Sequence, residues 1–192
     1  MSTRFRLGIS ALTAGFALSF TTPAHAAITV IGGGLARDCY MAVEYQKVST
    51  QRALDICSLA IEQESMTRRN RAATYTNRGI LQMRAGHNDK ALSDYQRSLA
   101  IMPELDEAKV NLGAALYGLK RYPEALAALN DGVRTESLDA RAVGYYNRGL
   151  TYEKLGDLQS AYEDFQRALQ VKPDFKQAAD QIGRFTVIER ES

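Results

Sequence analysis

The apolar positions of the chain follow two regimes. Leu7 to Phe20 is an uncharged apolar run, preceded by Arg4 and Arg6 and followed by the small-x-small triplet Ala24-His25-Ala26. This is the three-part layout of a secretory signal at residues 1–26, cut after Ala26. A run of fourteen residues is shorter than the roughly 20 that a membrane-spanning helix needs, so a retained anchor is the weaker alternative. Further along, small and apolar residues return with steps of four and then three: Ala53, Cys57, Ala60; Ala91, Tyr95, Ser98; Ala125, Leu129, Gly132; Ala161, Phe165, Ala168. Those steps put each trio on one face of a helix.

A longer period contains the short one. Gly79, Gly113, Gly149 and Gly183 lie 34, 36 and 34 residues apart, and an Ala follows each of the first three after twelve residues. Asn stands two residues before each of the first three glycines, and Pro103 and Pro173 close the first and third units. Such a period is the mark of a repeat array. The pattern resembles the tetratricopeptide repeat (TPR), with Gly at position 8, Ala at 20, an aromatic at 24, a small residue at 27 and Pro at 32. Residues 72–105, 106–139 and 142–175 read as three such units, the second the most degenerate, with Gly132 at position 27 and Ser137 in place of the proline.

The resemblance implies an all-α superhelical array of antiparallel helix hairpins, an α-α solenoid. Residues 35–67 read as a divergent hairpin of the same kind, with a longer loop at Glu64 to Arg71, and residues 176–188 as a capping helix with Ile182, Gly183 and Phe185 turned inwards. Gly at 8 and Ala at 20 would let the paired helices cross closely, the residue at 24 filling space towards the next hairpin. Residues 27–34 are expected to form a flexible Gly-rich lead.

In this family the first helices line a concave groove. The positions that face it, carried onto this sequence, include Ala73, Thr76, Arg84, Glu107, Tyr117, Gly118, Val143, Tyr146, Glu153 and Lys154, with Arg184 from the cap. Position 6 adjoins them and is Asn77, Asn111 and Asn147. A carboxamide carries a donor and an acceptor, so a row of them can clamp the backbone of an extended peptide. The competing reading is that they bond within the fold. Position 2 offers Ala73, Glu107 and Val143, which lacks the basic companions of a carboxylate-clamp groove.

Charge and cysteine content narrow the picture. The 24 bases and 22 acids of the chain become 22 and 22 once residues 1–26 are removed. A neutral chain without a Lys/Arg stripe argues against nucleic acid as a partner. Arg68, Arg69 and Arg71 are read as a solvated loop. Cys39 and Cys57, the only cysteines, fall in opposite helices of the first hairpin. An oxidising compartment favours a bridge between them over two buried thiols.

Candidate chemistry is sparse. Ile28 to Ala36, with Gly32-Gly33-Gly34, resembles the strand and Gly-rich turn of a dinucleotide site, but Asp55 lies in a helical pattern and not at a second strand's end. His87 is the one histidine left after removal of the signal, and no three or four Cys, His and carboxylate ligands stand at the recognisable spacing of a zinc site. Acidic residues such as Asp89, Asp94, Glu163 and Asp164 are read as solvated outer faces. No cofactor, metal or catalytic set is expected, and the chain is read as not an enzyme. The expectation is a periplasmic or secreted interaction module that binds a protein or peptide, without stable membrane insertion once the signal is cut. An envelope scaffold acting through its convex face is the alternative, and a nucleotide-binding enzyme the last.

Overall fold

A computed structural model of the chain describes residues 6–9 and 22–188. Arg4 and the part of the apolar run beyond Ile9 lie outside the described residues. Nine helices are described: α1 (Leu35–Tyr45), α2 (Thr50–Gln63), α3 (Arg68–Arg84), α4 (Asn88–Ile101), α5 (Asp106–Gly118), α6 (Tyr122–Gly132), α7 (Leu138–Leu155), α8 (Leu158–Val171) and α9 (Lys176–Ile182). Two short strands, β1 (Arg6–Ile9) and β2 (Phe185–Ile188), pair antiparallel with Arg6 opposite Ile188. The helices form four antiparallel hairpins and a final half-hairpin, the architecture of a TPR array.

Local chemistry sets the helix ends. Ser49, Thr67, Ser137 and Asp157 are N-caps whose side-chain oxygens accept from the backbone N–H three residues on. Met102 and Lys172, each before a proline, are extended at φ −136° and −137° and so end α4 and α8. Gly156 ends α7 in the left-handed region at φ 84°.

Inside each of the three hairpins from α3 to α8, the position-8 glycine lies directly under the residue at position 24 of the same hairpin. A Cβ on Gly79 would stand 2.5 Å from the Tyr95 ring, on Gly113 2.4 Å from Leu129, and on Gly149 2.7 Å from Phe165. The residue at 24 therefore fills its own helix crossing first, a correction to the expected packing towards the next hairpin. Tyr95, Leu129 and Phe165 are wholly buried as a result.

Five other expectations are corrected. α3 starts at Arg68 and not at 72, because Thr67 caps it. The arginines of its first turn are therefore helical: Arg71 donates to the carbonyls of Ile61 and Glu64 (2.9 and 3.3 Å), and Arg68 to that of Ile101 (2.5 Å). These are carbonyls at helix ends that lack intrahelical partners. α7 likewise starts at Leu138, ahead of residue 142.

Asp94 and Asp164 are buried and not solvated. Arg78 grips Asp94 at 2.9 and 2.7 Å, and Arg148 grips Asp164 at 2.6 and 2.9 Å, in both cases pinning the two helices of one hairpin. Finally, the capping helix ends at Ile182, and Phe185 to Ile188 are extended. Its buried positions are Ala178 and Gln181, whereas Gly183 is exposed and Phe185 stacks against Tyr162 and Phe165.

Cys39 and Cys57 form a disulfide that ties α1 to α2. Gly34, at φ 88°, starts α1, and a Cβ there would meet the Glu64 carboxylate at 2.5 Å. That carboxylate accepts from the Ala36 N–H at 2.7 Å. A side-chain anion thus fills the helix N-terminus that a dinucleotide phosphate would need, and among the described residues Ile28–Ile31 has no sheet partner.

Candidate functional site

α3, α5 and α7 run side by side and bring the position-6 asparagines into a row. All three are wholly buried. What covers them is the segment 22–31, the end of the expected signal together with the start of the Gly-rich lead (called the lead from here on), laid in extended form along the groove from the third repeat to the first. Ala24 N–H donates to Asn147 Oδ1 (3.0 Å) and Asn147 Nδ2 donates to the Ala24 carbonyl (2.9 Å). Asn111 makes the same pair with Ala26 at 3.1 and 2.8 Å, and Asn77 with Ile28 at 2.9 and 2.8 Å.

One helical repeat therefore matches two residues of extended peptide, since alternate residues of such a chain present N–H and C=O to the same side. Both polar ends of each carboxamide are used, and none of the contacts reads a side chain. A fourth rung comes from Asn70, which accepts from the Ile31 N–H at 3.3 Å and donates to its carbonyl at 2.6 Å. Sequence reasoning missed it because it lies outside the repeat frame. Asn70 and Asn77 are seven residues apart, two turns on one helix face, and that spacing is the signal that could have found it.

The lead is held and not free. Ile28 and Val30 are each 5% exposed and pack with Ala73, Leu105 and Ala108, whereas Thr29 between them is exposed. His25 lies over the middle of the groove with its Nδ1 buried and without a partner. Burial, and secondly the charge of Arg84, push its pKa down to about 4.

Other groove candidates have different fates. Tyr146 donates to the Thr22 carbonyl at 3.3 Å, and burial first of all raises its hydroxyl to about 12. Its ring sits 5.9 Å from that of Phe165 and 5.3 Å from that of Phe175. Tyr117 is buried with its ring 5.6 Å from that of Tyr122. Arg84 is turned to the first hairpin, donating to the Val43 carbonyl at 2.8 Å, and burial lowers its pKa. Arg184 pairs with Glu153 at 2.8 Å, so those two charges neutralise each other. Lys154 is exposed at the end of α7. Thr76 does not reach the lead: its hydroxyl donates to Ser98, which in turn donates to the Ala72 carbonyl.

Among the described residues no three His, Cys, Asp or Glu gather closely enough to hold a metal ion, and no helix is long and apolar enough to cross a membrane.

Family models of the tetratricopeptide repeat match residues 142–175 and 82–144. The chain is 28% identical over 92 residues to the Hsp70-Hsp90 organizing protein of Triticum aestivum, covering 48% of this chain and 16% of that protein. It is 30% identical over 134 residues to the FK506-binding protein-like of Mus musculus, covering 66% and 38%. The chain thus spans well under half the length of these relatives. Among solved structures, MamA aligns with a TM-score of 0.61 at 21% identity, over 80% of this chain and 83% of that one. YrrB, a TPR protein with an unusual peptide-binding site, gives 0.59 at 19% identity over 76% and 70%. The second TPR domain of human RPAP3, in complex with an HSP70 peptide, gives 0.51 at 23% over 57% and 89%. At these identities the likeness is one of fold.

Proposed function

We propose that this tetratricopeptide-repeat array is an exported interaction module that holds an extended polypeptide in its concave groove by the peptide's backbone. One observation carries the reading: the carboxamides of Asn77, Asn111 and Asn147 each engage both the N–H and the C=O of alternate residues of an extended segment. A groove that bonds backbone and packs small or aliphatic side chains suits many sequences, with main-chain bonds giving affinity and the pockets giving preference. The relatives support it, in that the RPAP3 domain holds an HSP70 peptide. The secretory layout of residues 1–26 supports a location outside the cytoplasm, and the Cys39–Cys57 bridge suits such a compartment. No catalytic role is assigned to any residue.

The test is a titration of the processed chain with a labelled peptide of the Thr22–Ala26 sequence, whose Ala24 and Ala26 face Asn147 and Asn111. Replacing Asn111 and Asn147 by Ala removes four backbone bonds, each worth about 0.5–1.5 kcal/mol net. The double variant should bind at least about tenfold more weakly, roughly 1.4 kcal/mol. Unchanged affinity in a folded variant contradicts the reading.

A second reading, a scaffold that associates with further helices, rests on the first hairpin. Met41, Tyr45 and Val48 are exposed there around a shallow cavity of about 230 Å³. Terminal repeats normally carry a polar outer face. A stable oligomer in solution, dissociated by Tyr45→Asp, would favour it.

A further inference from the structure

The expected cut between Ala26 and Ala27 falls between two rungs of the asparagine row. Asn111 holds Ala26 on one side of it, and Asn77 holds Ile28 on the other. Resting on the proposed export and groove binding, we propose that this cut turns half of the groove into a receptor for the free C-terminus of a small-x-small peptide. Hydrolysis by an external peptidase adds the hydroxyl of water to the Ala26 carbonyl carbon and its proton to the Ala27 nitrogen. At neutral pH the products are a carboxylate and an ammonium.

Residues 27–31 stay seated, because Asn77, Asn70 and the burial of Ile28 and Val30 hold them. Ala36 and Ala60 of the first hairpin belong to the same apolar cluster as Ile28 and Val30. Asn111 and Asn147 are then open, and the end wall of the open half is the α-ammonium of Ala27. A peptide in the same register places its last residue where Ala26 was. Its last N–H donates to Asn111 Oδ1, Asn111 Nδ2 donates to one carboxylate oxygen, and the other oxygen faces the ammonium. The third residue from its end takes both bonds of Asn147.

A peptide C–N bond is about 1.33 Å, and a charge-assisted N–H···O contact of about 2.8 Å to a carboxylate oxygen puts carbon and nitrogen about 3.6 Å apart, so the two ends need part by about 2 Å. Ala24 and Ala26 are both half-buried, so small last and third-from-last side chains fit the groove as it stands. The groove's own position-2 residues, Ala73, Glu107 and Val143, supply no cation, and the new N-terminus provides the missing one. The segment released by the cut, ending Ala24-His25-Ala26, is the first peptide of this chemistry that the site meets.

The experiment uses the exported, processed chain, with its N-terminus determined by sequencing. The Thr22–Ala26 pentapeptide is titrated as the free acid and as the C-terminal amide. We expect an N-terminus at Ala27, binding of the acid at least tenfold tighter than the amide, and loss of binding in Asn111→Ala. Acid and amide bound equally, but both weakened by Asn111→Ala, leaves the groove reading standing and overturns the carboxylate receptor. Binding untouched by Asn111→Ala and Asn147→Ala overturns both. An N-terminus other than Ala27 overturns the receptor alone. The comparison of acid with amide needs no variant, so it decides even if Asn111→Ala fails to fold.

Discussion

Gly79 illustrates what a single atom costs in this fold. An added Cβ meets the Tyr95 ring at 2.5 Å, and Tyr95 is wholly buried with no slack. Gly79→Ala should lower stability by about 1–3 kcal/mol, the usual cost of overpacking, read as a fall in the denaturation midpoint. Gly33→Ala, where nothing lies within 4 Å, is the control and should leave it nearly unchanged. His25 adds a pH effect. Above about 6.5 its imidazole is neutral whether the lead is seated or free, so seating is then at full strength. As pH falls from 6.5 towards 4, the free lead takes up a proton that the seated lead refuses, and seating weakens. In a chain that keeps residues 22–31, protease cleavage within the lead should quicken over that window, and His25→Phe should abolish the change. The position-6 asparagines were legible because the repeat frame named them. The burial of Asp94 and Asp164 was not, since a helical pattern does not show that Arg78 and Arg148, each sixteen residues earlier, cross the hairpin to meet them.

Among the elements, the hairpin α1–α2 depends most on a covalent tie. Of their large apolar residues its helices bury only Val43 and Leu54, and Cys39 and Cys57 sit wholly buried between them. Closing a loop of this length is worth roughly 3 kcal/mol in the chain-entropy model, so reductant should lower the melting temperature while α3–α8 remain helical. Unchanged melting on full reduction would contradict this. α3 to α8 could be placed from the sequence because glycine, alanine and proline fix where helices cross and stop. The ends of α3 and α7 were not, because capping by Thr67 and Ser137 extends each helix by four residues beyond the repeat frame. The short α9 escaped for a related reason: apolar Ile182 and Phe185 pack against the core equally well from a helix end and from an extended segment.

At the scale of the whole molecule, the array and its lead form one device. The carboxamides of the row have both polar ends committed to a backbone and none to a side chain, which is why the chain's own lead can occupy the groove of the protein that carries it. Sequence alone showed the row and the lead separately, because nothing in the local pattern of residues 22–31 says that they lie more than forty residues away in sequence against α3, α5 and α7. The measurement that tests this most directly is residue-resolved amide hydrogen exchange on a chain that keeps residues 22–31. The account predicts slow exchange at Ala24, Ala26, Ile28 and Ile31, fast exchange at Thr29, and loss of protection at Ala24, Ala26 and Ile28 in the Asn77→Ala, Asn111→Ala, Asn147→Ala variant, Ile31 being held by Asn70. Uniformly fast exchange from residue 22 to 31, unaltered in the variant, would contradict it.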